Sequence, residues 1–106
     1  MNKGAGLEQE VYQFMKDHLS LIGLPDENCS VHLHKRYYSA DRQADIVADV
    51  SIELFMPGAG EPSIIWVWEC KDYSGSVPVG AVQKFHADLQ QLGSDRTKGT
   101  VISRTT

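Results

Sequence analysis

Glu69 and Lys71 flank Cys70 at the end of Ile64-Ile65-Trp66-Val67-Trp68, the most apolar run of the chain. The run is too short for a membrane span and predicts a buried strand. Strand side chains alternate, so Glu69 and Lys71 share a face with Ile65 and Val67, while Trp66, Trp68 and Cys70 take the other. A carboxylate and an ammonium at the end of a buried strand are costly unless they pair with each other or hold an ion. The plain reading is an ion pair at the edge of a core. A second acid changes the balance. Asp45 opens the preceding apolar segment and Asp49 follows it, and either can face Glu69 across an antiparallel pair. Two carboxylates on adjacent strands repel unless a cation bridges them or one takes a proton. Oxygen ligands select hard cations, Mg²⁺ first with Mn²⁺ as its substitute. Lys71 beside them would orient a water or stabilise developing negative charge. That set suits hydrolysis of a phosphodiester. Simple hairpin pairing about the Pro57–Pro62 loop brings Asp49 nearer Glu69, whereas Asp45 needs a bent or bulged strand start.

The elements that must position these groups are legible as periodicities. Leu7, Val11, Phe14 with Met15, His18 and Leu21/Ile22 have helical spacing, and Gly23 and Pro25 end the helix. Glu8 and Glu10 lie in its first turn, where the helix dipole favours negative charge. Ser30 to Tyr38 alternates, with Val31, Leu33, Lys35 and Tyr37 against Ser30, His32, His34 and Arg36, and predicts a strand with one wet face. After a turn at Ser39-Ala40-Asp41-Arg42, Ile46, Ala48, Val50, Ile52 and Leu54 line one face of a second strand. A breaker-rich loop, Met56 to Ser63, leads into the strand that ends at Lys71. Ala81 or Val82, Phe85, Leu89 and Leu92 mark a second helix stopped by Gly93, and Thr100 to Ser103 a last strand. The order is α-β-β-β-α-β, a mixed α/β class with one parallel crossover at the end of an otherwise antiparallel sheet.

Composition sets bounds. The 106 residues make one domain, with 42% hydrophobic and 23% charged residues, as in an ordinary globular chain. The formal net charge of −4 argues against a generic basic binder of nucleic acid. It leaves room for a nucleic-acid enzyme, because carboxylates gathered for a metal are negative until it binds. Cys29 and Cys70 form no CxxC and no disulfide framework, so reduced thiols in the cytoplasm are expected. No apolar stretch is long enough for a membrane span. An apolar strand just before Thr106 predicts a fragment, or a partner that covers the sheet.

Several of these segments together resemble one family. They are Arg42-Gln43-Ala44-Asp45-Ile46, Glu69-Cys70-Lys71-Asp72-Tyr73, Val77-Pro78-Val79, Val82-Gln83-Lys84-Phe85 and Lys98 to Ser103. In order and spacing they resemble the PD-(D/E)xK nuclease superfamily, nearest its Mrr-like restriction endonuclease branch. Gly4-Ala5-Gly6-Leu7-Glu8 through Val11 resembles the first helix of that branch. The resemblance implies a restriction-endonuclease-like core, a mixed central sheet flanked by helices, and Mg²⁺-dependent cleavage of DNA. It implies that Asp45 and Glu69 are metal ligands together with the backbone of Cys70, that Lys71 is the catalytic lysine, and that Glu8 supports the metal from the first helix. It selects Asp45 over Asp49. Ala44 stands where the family has proline. A Phe-Gly pair and a further helix usually follow the last strand in that branch and are missing here, in keeping with a fragment. The Gln-x-x-x-Tyr helix signature of related exonucleases is not met, since Ala87 follows Gln83 by four, so Gln83 is expected to be an exposed helix residue. Glu10 and Asp49 are the alternates for the acidic positions.

Other constellations are weaker. His32 and His34, on one predicted strand face, lack a third zinc ligand nearby. Cys70 is expected to be a packed thiol, and Trp66 and Trp68 core residues. Arg36, Tyr37 and Tyr38 form a basic-aromatic patch at a strand end. No serine-hydrolase or phosphate-loop motif occurs. The leading expectation is an endonuclease core with DNA as partner and sequence recognition supplied by another module or a second subunit, a homodimer included. Its rivals are an inactive nuclease-fold domain that binds protein or holds DNA, and an RNA-cleaving member of the same superfamily.

Overall fold

A computed structural model describes residues 5–40, 42–73, 79–91 and 96–105. Gly4, Asp41, Val77-Pro78 and Leu92-Gly93, which carry part of the sequence reading, lie outside the described residues. The first helix, α1, spans Ala5–Asp17, and a short 3-10 turn over Leu19–Ile22 follows. Gly23 ends that turn with a φ of 82°, a left-handed conformation that costs glycine little, and its N–H caps the carbonyls of Leu19 and Ser20. Strands β1 (Cys29–Ser39), β2 (Ala44–Leu54) and β3 (Ile64–Tyr73) come next, then helix α2 (Val79–Gln91) and strand β4 (Thr97–Thr105).

The sheet order is β1-β2-β3-β4. The first three strands pair antiparallel and β4 joins β3 in parallel, with α2 as the crossover. Mixed α/β topology and element order are as the periodicities predict. The two helices cover opposite faces of the sheet. Leu7, Val11 and Met15 of α1, with Leu19, pack on Val50, Ile52, Trp68 and Cys70. Phe85 of α2 packs on Ala48, Ile65 and Val67, with Tyr37, Leu89 and Val101 around them. The tryptophans lie on the α1 face, stacked with ring centroids 4.7 Å apart. Gly99 lets α2 sit close to β4: a Cβ there would collide with Leu89 and lie 2.9 Å from the Phe85 ring.

Two features depart from simple alternation, and both bear on the site. First, Ala48 and Val50 are two residues apart yet pack on opposite faces, where a regular strand would put them together. The same swap occurs on β1. Val31 and Leu33 join the α1 cluster, whereas Lys35 and Tyr37 reach Glu53 on the other face. The β1–β2 ladder pairs Leu33 with Val50 and Lys35 with Ala48, and the rung between them, His34 opposite Asp49, is missing. His34 has a φ of 55°. Second, the β2–β3 ladder stops at Val50↔Trp68. Beyond it β2 stays with β1 as far as Ala44, and β3 stays with β4 as far as Tyr73. The sheet forks there.

Candidate active site

The fork opens where Asp49, Glu69 and Lys71 meet. Lys71 Nζ lies 2.9 Å from Glu69 Oε1, both on the α2 side of β3. Asp49 stands across the gap on β2. One of its oxygens accepts a 2.9 Å hydrogen bond from the backbone N–H of Cys70. In a continued ladder that N–H would face a β2 carbonyl; at the fork a carboxylate takes the place. Burial pushes the Glu69 carboxyl above the usual carboxylate range. The hydrogen bond and charge of Lys71 pull it down, the charge of Asp49 and a hydrogen bond shared with it push it up, and the net is a rise.

Asp45, which the family resemblance selects, is not brought to Glu69. It is exposed, opposite Tyr38, on the part of β2 that pairs with β1 alone. Four residue steps along the strand separate it from Asp49, about 13 Å. The acidic neighbour of Glu69 is Asp49, as hairpin pairing about the 57–62 loop implies.

Glu8 and Cys70 complete the surroundings from the other face. Glu8, in the first turn of α1, is buried and bonded to the imidazole Nε2 of His34. Cys70 packs in the α1 cluster, as expected, and burial first, then the charges of Asp49, Glu8 and Glu69, push its thiol up to about 12. Glu8 thus bonds His34, the residue at the missing rung opposite Asp49. The Cys70 backbone N–H is already bonded to Asp49, leaving the Cys70 carbonyl as the backbone ligand that the resemblance implies. Glu10 is exposed. Gln83 is exposed on α2, as expected, and its neighbour Lys84 reaches the site instead. A cleft of about 70 Å³ between the strands and α2 is lined by Glu69, Lys71, Ala81, Lys84, Phe85 and Asp88. Asp88 binds Arg42 at 2.5 Å and lies 3.9 Å from Lys84, so two cations stand on the rim of an acidic floor.

Sequence reasoning missed His34. Alternation puts it on one face with His32, but the two part company. His32 bonds Ser30 at 2.9 Å and lies 3.6 Å from Glu53 on the α2 side, while His34 turns to Glu8 on the α1 side. A histidine pair sharing one face is therefore not formed, because the alternation breaks between them. A left-handed residue other than glycine costs about 1–3 kcal/mol when held in a structure. No pattern of residue types announces that conformation. The basic-aromatic patch also divides: Tyr37 turns to Glu53, while Arg36 and Tyr38 are exposed.

Among the described residues, no group of three or more His, Cys, Asp or Glu is arranged to hold a metal. Mg²⁺ does not require one. It commonly binds through one or two carboxylates and completes its shell with water and substrate phosphate. Asp49 and Glu69 are two facing hard-oxygen donors whose repulsion a divalent cation would relieve, and the residues fit such an ion. No protein-family model, curated protein or solved structure matches this chain. Among the described residues, no helix is long and apolar enough to cross a membrane.

Proposed function

We propose that this domain is a divalent-metal-dependent nuclease that hydrolyses DNA phosphodiester bonds, with the restriction-endonuclease-like core that its motifs resemble. The observation that carries the reading is the fork. Two carboxylates from diverging strands meet there beside a lysine, in a cleft rimmed by further cations. Asp49 and Glu69 would hold Mg²⁺, or Mn²⁺ in its place, with Glu8 as an outer support. The ion, when bound, polarises the phosphate and lowers the pKa of a bound water.

The chain's own residues do the rest. Lys71, held 2.9 Å from Glu69, presents its ammonium to the same space as the carboxylates. There it orients a water or stabilises the charge that develops on phosphate oxygens. The N–H of Cys70 fixes the Asp49 carboxylate, so that group need not reorganise when the ion arrives. Arg42 and Lys84 offset the acidic floor for an approaching polyanion.

Plasmid cleavage in Mg²⁺, in Mn²⁺ and in EDTA tests the reading. The wild type is expected to nick DNA with either metal and to be silent in EDTA. Lys71→Ala and Glu69→Gln are expected to lose the activity while remaining folded. A folded wild type inert on both DNA and RNA in both metals would overturn it, and so would full activity in Lys71→Ala.

A further inference from the structure

We infer that His34 is a positioning residue of the proposed site, its left-handed backbone turning Asp49 into the fork and its imidazole fixing Glu8. The inference rests on the metal-site reading for its purpose, but its geometry stands apart. Among the described residues only His34 and Gln43 have a positive φ without being glycine. Gln43 is in the turn between β1 and β2, where such a conformation is ordinary. His34 is in the middle of an eleven-residue strand, where it is not.

The consequences of that one conformation line up. Leu33 and His34, neighbours in sequence, both serve the α1 side: Leu33 packs in its cluster and His34 meets Glu8. Lys35 then points to the opposite face, where its Nζ lies 2.6 Å from Glu53. The ladder loses one rung, the one between His34 and Asp49, and resumes with its register unchanged. On β2 the faces exchange at the same place, between Ala48 and Val50. Asp49 at the exchange joins neither core cluster. Its carboxylate lies in the gap beside β3, where it accepts from the Cys70 N–H and meets Glu69. Two residues facing each other leave regular geometry together; the carboxylate of one turns to Glu69 and the imidazole of the other to Glu8.

Two substitutions separate the backbone from the side chain. His34→Gly keeps the left-handed conformation and removes the imidazole. His34→Val removes both, since a β-branched residue strongly disfavours positive φ. The ¹H–¹⁵N spectrum of the full chain reads the placement without any metal, through the Cys70 amide proton. Asp49→Asn gives the signal for a lost charged acceptor. Mg²⁺ titration calorimetry reads the purpose. In His34→Gly the Cys70 amide is expected to stay near its wild-type position, and Mg²⁺ affinity to fall about tenfold, the lower end for loss of an outer-shell partner. In His34→Val the amide is expected to move toward the Asp49→Asn position and affinity to fall as far as in that variant. A valine variant with the wild-type amide position overturns the inference. If valine prevents folding, His34→Ala makes the same comparison with a smaller steric demand, and an unmoved amide there overturns it equally. If the amide follows the expected order but the wild type binds no Mg²⁺, the nuclease reading fails and the role of His34 in placing Asp49 stands.

Discussion

Two acids on the α2 side of the sheet, Glu53 on β2 and Glu69 on β3, live differently. Glu53 is 3% exposed, and its carboxylate is satisfied. Lys35 Nζ and the Tyr37 hydroxyl each lie 2.6 Å from one oxygen, and His32 stands 3.6 Å from the other. Burial pushes the Glu53 carboxyl up, but the hydrogen bonds and charges of these partners outweigh it and hold it below the usual range. Glu69 has one cation, Lys71, and a second carboxylate facing it, and its carboxyl is raised. The first cluster is balanced by the chain itself. The second is short of positive charge, and that deficit is what a divalent ion would fill. A buried acid marks a site only when its surroundings leave it unbalanced.

Exchanging the two acids should break the comparison most sharply. Glu69→Gln is expected to lower cleavage by about 10²–10³-fold, the scale of losing a group that organises transition-state charge. Glu53→Gln should leave cleavage per folded molecule unchanged, and plasmid nicking rates for both variants at matched folded concentration decide it. The stability effects run the other way. Glu53→Ala strands Lys35 and Tyr37 and is expected to cost about 3 kcal/mol, read from urea unfolding, whereas Glu69→Gln removes a repulsion and should cost little. Next in size is the response to metal. Mg²⁺ at a hundredfold its dissociation constant is expected to stabilise the wild type by about 2.7 kcal/mol. The thermal shift should vanish in Asp49→Asn and persist in Asp45→Asn; the reverse pattern would restore Asp45 as the ligand.

The smallest effect is on pH. Glu69, raised in the folded chain, binds its proton more tightly than in the unfolded one. Its contribution to stability is therefore greatest below the ordinary carboxylate range and declines as pH rises through that range to its own raised value. Glu53, lowered, contributes above the ordinary range, and that contribution is lost as pH falls through its folded value. Acid unfolding followed in Glu69→Gln and Glu53→Gln separates the two slopes. Mg²⁺ should flatten the first and leave the second.

Much of the frame is legible from residue types. The 3.6-residue spacing of Leu7, Val11 and Met15 marks α1, but the helix expected to run on to Gly23 ends at Asp17, and Leu19–Ile22 form a separate 3-10 turn. Simple antiparallel pairing about the 57–62 loop brings Asp49 nearer Glu69 than Asp45. The likeness of Arg42 to Ile46 to a family motif points instead to Asp45, which lies on the stretch of β2 that pairs with β1 alone. The break at His34 and Asp49 is invisible in the pattern because both faces of this sheet are covered. Ala48 and Val50 suit either cluster, so hydrophobic alternation runs through the break without a mark. Glu8 is predictable as a helix N-terminal acid, but its bond to His34 is a tertiary contact across 26 residues.

Cys70 stands between the two groups most concerned with the proposed chemistry, a position that invites oxidative control. The surroundings forbid it. Burial and the charges of Asp49, Glu8 and Glu69 push its thiol up to about 12, far from thiolate character at neutral pH, and the side chain is buried besides. Peroxide and alkylating agents should therefore spare Cys70 while the fold is intact.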